Sequence, residues 1–143
     1  AFIAADDGGL TDIPPFPPIA QGVILAGSPC AGELFIQAEV EAGGRRVRFD
    51  DAVGAGWRLV TLAEPALDLD LAEWFATIGG AAVAFGCGDH SPRDVDGTYR
   101  AWLADHDVVA GLQRPDFSLF GTAARAADAP ELVRSLRAAL LHA

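Results

Sequence analysis

Two cysteines, three histidines and the loop GCGDHS hold most of the reactive chemistry available to this 143-residue chain. Dithiol–disulfide exchange needs two thiols spaced C-x-x-C at a helix start, where the helix dipole favours the thiolate. Cys30 lies in the proline-rich stretch SPCAG and Cys87 follows a strand-like run, so neither is placed for that reaction. A single-thiol oxidoreductase built on Cys87 stays open as an alternative to Cys87 as a small, half-buried filler. Cys87, Asp89 and His90 could begin a metal site, but zinc takes three or four ligands, and His106 and His142 have no spacing relation to that trio. GCGDHS lacks the third glycine of a phosphate loop, and Asp89 would repel a phosphate. Ser28, Ser91, Ser118 and Ser135 sit in no G-x-S-x-G elbow. The adjacent acids Asp6–Asp7 and Asp50–Asp51 either point apart on a strand or lie solvated in a turn. No residue is therefore assigned a catalytic, cofactor-binding or metal-ligating role.

Composition narrows the class of protein. The length suits one domain that folds without a metal or disulfide. Hydrophobic residues at 51% and charged residues at 21% are the balance of a globular chain. The net charge is −10, and all ten bases are arginine. Such a surface repels nucleic acid and anionic lipid, and no basic stripe overrides it. No apolar run approaches the ~20 residues of a membrane span. AFIAADDGG has no basic n-region and cysteines are few, so a cytoplasmic location is expected.

The elements that must position these residues follow from periodicity and punctuation. Residues 1–32 read as an extended proline-rich arm or linker, and residues 33–143 as the domain. The stretch suggests a domain cut from something longer, and an arm wrapping its own domain is the alternative. Val47 and Phe49 alternate with Arg46 and Arg48, as on a half-buried strand. DDAVGAGW reads as a turn or single helical turn, and Trp57–Leu62 as a strand. In DLDLAEWFATIGG, Leu71, Trp74, Phe75 and Ile78 fall on one helical face. Asp70 and Glu73 offer a capping box, and Gly79–Gly80 a left-handed stop. AAVAFG reads as a strand covered on both faces. TYRAWLADHD is a helix with Tyr99, Trp102 and Leu103 inward, and VVAGLQ is a strand. The last helix is capped by Asp128, with Pro130 and Glu131 in its first turn, and it buries Leu132, Val133, Leu136 and Leu140. The order β, α, β, α, β-hairpin, α predicts an α/β fold: a thioredoxin-like central mixed sheet flanked by helices.

Between VVAGLQ and FSLFG stands Arg114-Pro115-Asp116. Proline is pre-set for the second position of a β-turn and aspartate tolerates the third. These residues predict a tight reversal, with an Arg114–Asp116 pair that would be weak if exposed. Phe117 and Phe120, on a hairpin at the sheet's edge, are the candidate interface residues. A partner-binding module is a further alternative.

The strand ending in RPD and its aromatic return strand resemble the C-terminal region of FAD-dependent aromatic hydroxylases, the 3-(3-hydroxyphenyl)propionate hydroxylase and phenol hydroxylase-like group. SPCAGELFIQAEV, RVRFDDAVGAGWRLV and DGTYRAWLADHDVVAGLQRPDFSLFGTA resemble other segments of that region, in the same order, across most of residues 27–141. The resemblance implies a non-catalytic, thioredoxin-like tail domain of a flavin monooxygenase. Its partners would be the N-terminal FAD-binding region of the parent enzyme and a second subunit in a homodimer. FAD and NAD(P)H would belong to the full-length enzyme and neither to this chain. Two departures from the pattern stand out. Ile36 and Ala38 lie where a nearby proline is expected, and Gln113 replaces an aliphatic residue, which implies a less buried strand.

Overall fold

The strand-forming runs assemble into two sheets. The computed structural model describes residues 23–88 and 91–141. Most of the proline-rich arm, Asp6–Asp7, Asp89, His90 and His142 lie outside the described residues. A hairpin of β1 (Glu39–Ala42) and β2 (Arg45–Arg48) leads into a short helix, α1 (Phe49–Val53). The core then follows as β3 (Arg58–Thr61), α2 (Leu69–Thr77), β4 (Ala81–Ala84), α3 (Thr98–Asp105), β5 (Ala110–Gln113), β6 (Leu119–Ala123) and α4 (Ala129–Leu141). The four core strands lie in the order β4-β3-β5-β6. β3 runs parallel to β4, and the β3–β5 and β5–β6 pairs are antiparallel. This is the mixed sheet that the order of elements predicts.

Alternation along the strands sorts the core into two layers. Trp57, Leu59, Leu112 and Phe120 pack against Leu71 and Phe75 of α2 and Leu132, Val133 and Leu136 of α4. On the opposite face Val60, Val83 and Leu119 meet an aromatic layer of Phe35, Phe49, Phe85 and Tyr99. Tyr99 is its hub, with ring centroids 4.8 Å from Phe85, 5.1 Å from Phe49 and 5.6 Å from Phe35. Its hydroxyl accepts from the Ala38 N–H at 3.0 Å and donates to the Ile36 carbonyl at 3.2 Å. Burial pushes the phenol up to about 12, so it remains a neutral donor.

Arg58 closes the start of the sheet. It is 8% exposed, and its guanidinium donates to the carbonyls of Val53, Ala55, Trp57 and Gly79 at 2.7–3.3 Å. The end of α1 and the turn after α2 are thereby tied to β3. A Cβ on Gly56 would stand 2.9 Å from Arg58 Nη1, so the guanidinium needs glycine there.

The local readings are corrected at four places. Asp68, not Asp70, caps α2, its carboxylate accepting from the Leu71 N–H at 2.8 Å; Asp70 instead meets Arg137 of α4 at 3.0 Å. Asp128 caps no helix, because its carboxylate takes Arg125 at 3.1 Å and a short 3-10 turn leads into α4. β4 is not covered on both faces: it is an edge strand with Ala81 and Ala82 exposed. Gln113 does not loosen β5; it is completely buried, with its amide oxygen accepting from Gln37 at 2.8 Å.

The outer edge of β6 is covered by residues 23–35. Leu25 N–H donates to Phe120, Gly32 N–H to Leu119 and Phe35 N–H to Phe117, while Leu119 N–H donates to Glu33. Ser28 Oγ accepts from the Thr122 N–H at 2.9 Å, and Thr122 Oγ1 donates to the Pro29 carbonyl at 2.8 Å. This part of the arm wraps its own domain. Gly121 makes room for it, since a Cβ there would stand 3.0 Å from Ser28 Oγ, 3.2 Å from Leu25 and 3.3 Å from Leu132.

Two outcomes follow. Tyr99→Phe takes the partner from the half-buried Ala38 N–H and Ile36 C=O, and should lower unfolding stability by about 1–2 kcal/mol in urea titration; an unchanged midpoint would contradict the hub. Gly121→Ala should raise amide exchange of residues 24–34 above that of β3 and β5, because the added methyl displaces the covering segment. Equal protection in both proteins would contradict this.

Candidate functional site

Arg114, Pro115 and Asp116 are brought together as one self-contained reversal. Arg114 N–H donates to Ser118 at 2.7 Å, and its carbonyl accepts from Phe117 at 3.0 Å. The loop therefore has three residues, the last of them Phe117 at φ +68°. A turn followed by a left-handed residue is a common three-residue hairpin closure. Asp116 uses both carboxylate oxygens, Oδ1 for the Ser118 N–H at 3.1 Å and Oδ2 for Arg114 Nη2 at 2.7 Å. The pair is not exposed, so the condition under which it would be weak does not hold. The Arg114 side chain is 5% exposed and that of Asp116 22%, so the pair is worth more than a surface ion pair. The motif's polar groups are largely spent on closing the hairpin; Arg114 Nε alone is buried without a protein partner.

The two candidate interface residues part ways. The register of β5 against β6 shifts at Gln113, which pairs with Leu119 and leaves Phe120 as the extra residue. This bulge turns Phe120 into the core, where it is 1% exposed and packs edge-on against Trp57 at 6.4 Å. Because residues 23–35 occupy this edge, Phe120 meets no neighbour there. Phe117 stays half-buried at the turn, beside Leu34, which is 75% exposed.

Neither cysteine lies at a helix N-terminus. Cys30 sits in the covering segment at φ +66°, and burial, then Glu33, pushes its thiol up from the usual range. Cys87 follows β4, with its sulfur 3.6 Å from the Leu62 carbonyl. The helix after β3 begins instead at Asp68. The Leu71 N–H and, more weakly, Arg134 hold that carboxyl below the ordinary range. α3 starts at Gly97, with Asp94 accepting from the Tyr99 and Arg100 N–H groups. Among the described residues no three His, Cys, Asp or Glu side chains cluster to hold a metal. No described helix is long and apolar enough to cross a membrane.

Two surface clefts of about 430 and 420 Å³ open beside α3. The first, lined by Leu62, Leu103, Val108 and Val109 with Arg100 and Asp107, lies by the carboxyl end of β3. The second is walled by Ile36, Trp102 and Asp105. Neither lining includes a cysteine or histidine. The positioning residues that sequence reasoning passed over are Arg58, Gln37 and Ser28. The one signal for them was a polar residue inside or beside an apolar run.

Comparison with known proteins agrees with this geometry. The HcaD C-terminal domain family matches residues 32–139. A probable NADH-specific resorcinol 4-hydroxylase of Rhodococcus jostii (strain RHA1) is 37% identical over 117 residues, covering 76% of this chain and 22% of that protein. The flavin-dependent monooxygenase PieE, solved in complex with FAD and substrate, superposes with a TM-score of 0.59 at 25% identity, over 81% of this chain and 21% of its own. The peroxidoxin BcpB of Mycobacterium tuberculosis shares the fold, with a TM-score of 0.53 at 15% identity over 75% of this chain and 96% of its own. The chain thus spans about a fifth of the length of the hydroxylase and of PieE. A thioredoxin-like sheet whose helix starts carry no thiol, matched over residues 32–139, belongs to the HcaD C-terminal domain family, a C-terminal domain of aromatic-ring hydroxylases.

Proposed function

We propose that this chain is the non-catalytic C-terminal domain of an FAD- and NAD(P)H-dependent aromatic-ring hydroxylase. It packs on the FAD-binding region of the parent enzyme and contributes to a homodimer. The parent's substrate is a phenolic ring compound of the resorcinol or 3-(3-hydroxyphenyl)propionate kind, and the enzyme works in the cytoplasm. The observation that carries this reading is the conjunction of family membership with the fate of the reactive positions. Asp68 stands at the start of the helix after β3, and Cys30 and Cys87 lie in separate non-helical segments. A thiolate needs a stabilising dipole or a cationic neighbour, and Cys30 has neither: its charged neighbour is Glu33. Flavin chemistry then rests with the rest of the parent, and this domain supplies surface. Half-buried Phe117 and exposed Leu34, side by side at the RPD turn, are the apolar contacts available for packing against it.

The purified 143-residue chain should not accelerate dithiothreitol-driven insulin reduction above the uncatalysed rate, and should retain no flavin absorbance through gel filtration. Turnover of insulin would favour the Cys87 oxidoreductase, and a stoichiometric flavin would move cofactor binding into this domain.

A further inference from the structure

Among the described residues four buried side-chain polar atoms have no protein hydrogen-bond partner: Gln37 Oε1, Asp50 Oδ1, Gln113 Nε2 and Arg114 Nε. A native fold leaves few such atoms without something to complete them. Asp50 and Arg114 already hold an ion partner, Arg48 at 3.5 Å and Asp116 at 2.7 Å. The other two atoms belong to one pair of neutral amides. Gln37 Nε2 donates to Gln113 Oε1 at 2.8 Å, which leaves an acceptor on Gln37 and a donor on Gln113, flanking the bond they share. Turning both amides over exchanges the roles and again leaves one of each. Gln113 is 0% exposed and Gln37 half-buried. The pair joins residues 36–38, which Tyr99 also holds, to the last residue of β5, next to the RPD turn.

We propose that this amide pair is the site of one ordered water molecule. The water accepts from Gln113 Nε2 and donates to Gln37 Oε1, closing a ring with the Gln37–Gln113 bond. The two free atoms select the occupant. A metal ion would face the N–H donor of Gln113, and an anion would face the carbonyl oxygen of Gln37. Water offers a donor and an acceptor on one atom and satisfies both. A group carried by another molecule does not reach Gln113, which has no accessible surface, whereas a water enters beside the half-buried Gln37. Buried waters of this kind bond polar groups that the protein leaves unpaired, and they are costly to remove. The bridge adds a tie between the N-terminal segment and β5 that stands apart from Tyr99. It is a property of this chain alone and does not depend on the parent enzyme.

The test is water–protein NOE spectroscopy of the full 143-residue chain, alongside Gln37→Met, which keeps the bulk of the side chain and removes its amide. A high-resolution crystal structure of the wild type is the second measurement. The Gln113 carboxamide protons should show a cross-peak to water with the sign of a bound, slowly tumbling molecule. Gln37→Met should lose that cross-peak while its amide dispersion shows the fold retained. The crystal should place one water about 2.7–3.2 Å from both amides. No cross-peak in the wild type, or two amides bonded twice to each other in the crystal, would overturn the site. A cross-peak undiminished in Gln37→Met would show a water held by Gln113 alone, and would overturn the two-amide site as well. If Gln37→Met does not fold, the crystal structure decides by itself.

Discussion

The hydroxyl of Tyr99 ties three parts of the domain to one another. It belongs to α3, its ring fills the aromatic layer beneath the sheet, and its two hydrogen bonds hold Ile36 and Ala38 where the covering segment turns into β1. A phenol can do this only while neutral and buried, and burial keeps it so. With residues 36–38 fixed, Gln37 reaches Gln113 at the end of β5, Phe35 bonds the backbone at Phe117, and the preceding residues lie along β6. The apolar layer on the opposite face, between the sheet and α2 and α4, is assembled from ordinary helical stripes. The aromatic layer is what joins the N-terminal segment to the core.

The same arrangement bears on the proposed absence of redox chemistry. A thioredoxin-like sheet presents the start of the helix after β3 at the carboxyl end of its central strands. Here that start is built around the Asp68 carboxylate and the Leu71 amide. The two sulfurs went elsewhere, Cys30 into the edge cover and Cys87 behind β4 against the Leu62 carbonyl. What survives of the fold is its packing and its edges, which suits a domain that holds larger partners together. Relatives about four times its length, one a probable hydroxylase and one a flavin-dependent monooxygenase, are in keeping with that role.

Much of this was legible in the residues. The stripe Leu71, Trp74, Phe75 and Ile78, the inward Tyr99 and Leu103, and the RPD reversal all express local periodicity or turn chemistry, which a short window contains. The order of elements then leaves few topologies. The misreadings share a cause: each depended on contacts distant in sequence. Asp68 and Asp70 both suit a cap, and the choice turned on Arg137, which draws Asp70 toward α4. Phe120 looked exposed because the arm's return to β6 leaves no periodic trace. Gln113 read as a departure in an apolar strand, when its amide oxygen receives Gln37, and Arg58, passed over, satisfies buried backbone carbonyls. β4 looked doubly covered because alanine and valine suit a buried strand and a neutral edge equally.

As proposed, the domain contributes shape and no sulfur chemistry to a parent flavin hydroxylase. The most direct measurement is NADH-dependent hydroxylation by the full-length enzyme carrying Cys30→Ala and Cys87→Ala together. The account expects kcat, kcat/KM and flavin content within about twofold of the wild type. A loss of roughly a hundredfold in kcat, with the fold and flavin retained, would show that a thiol of this domain takes part in the reaction, and would contradict it.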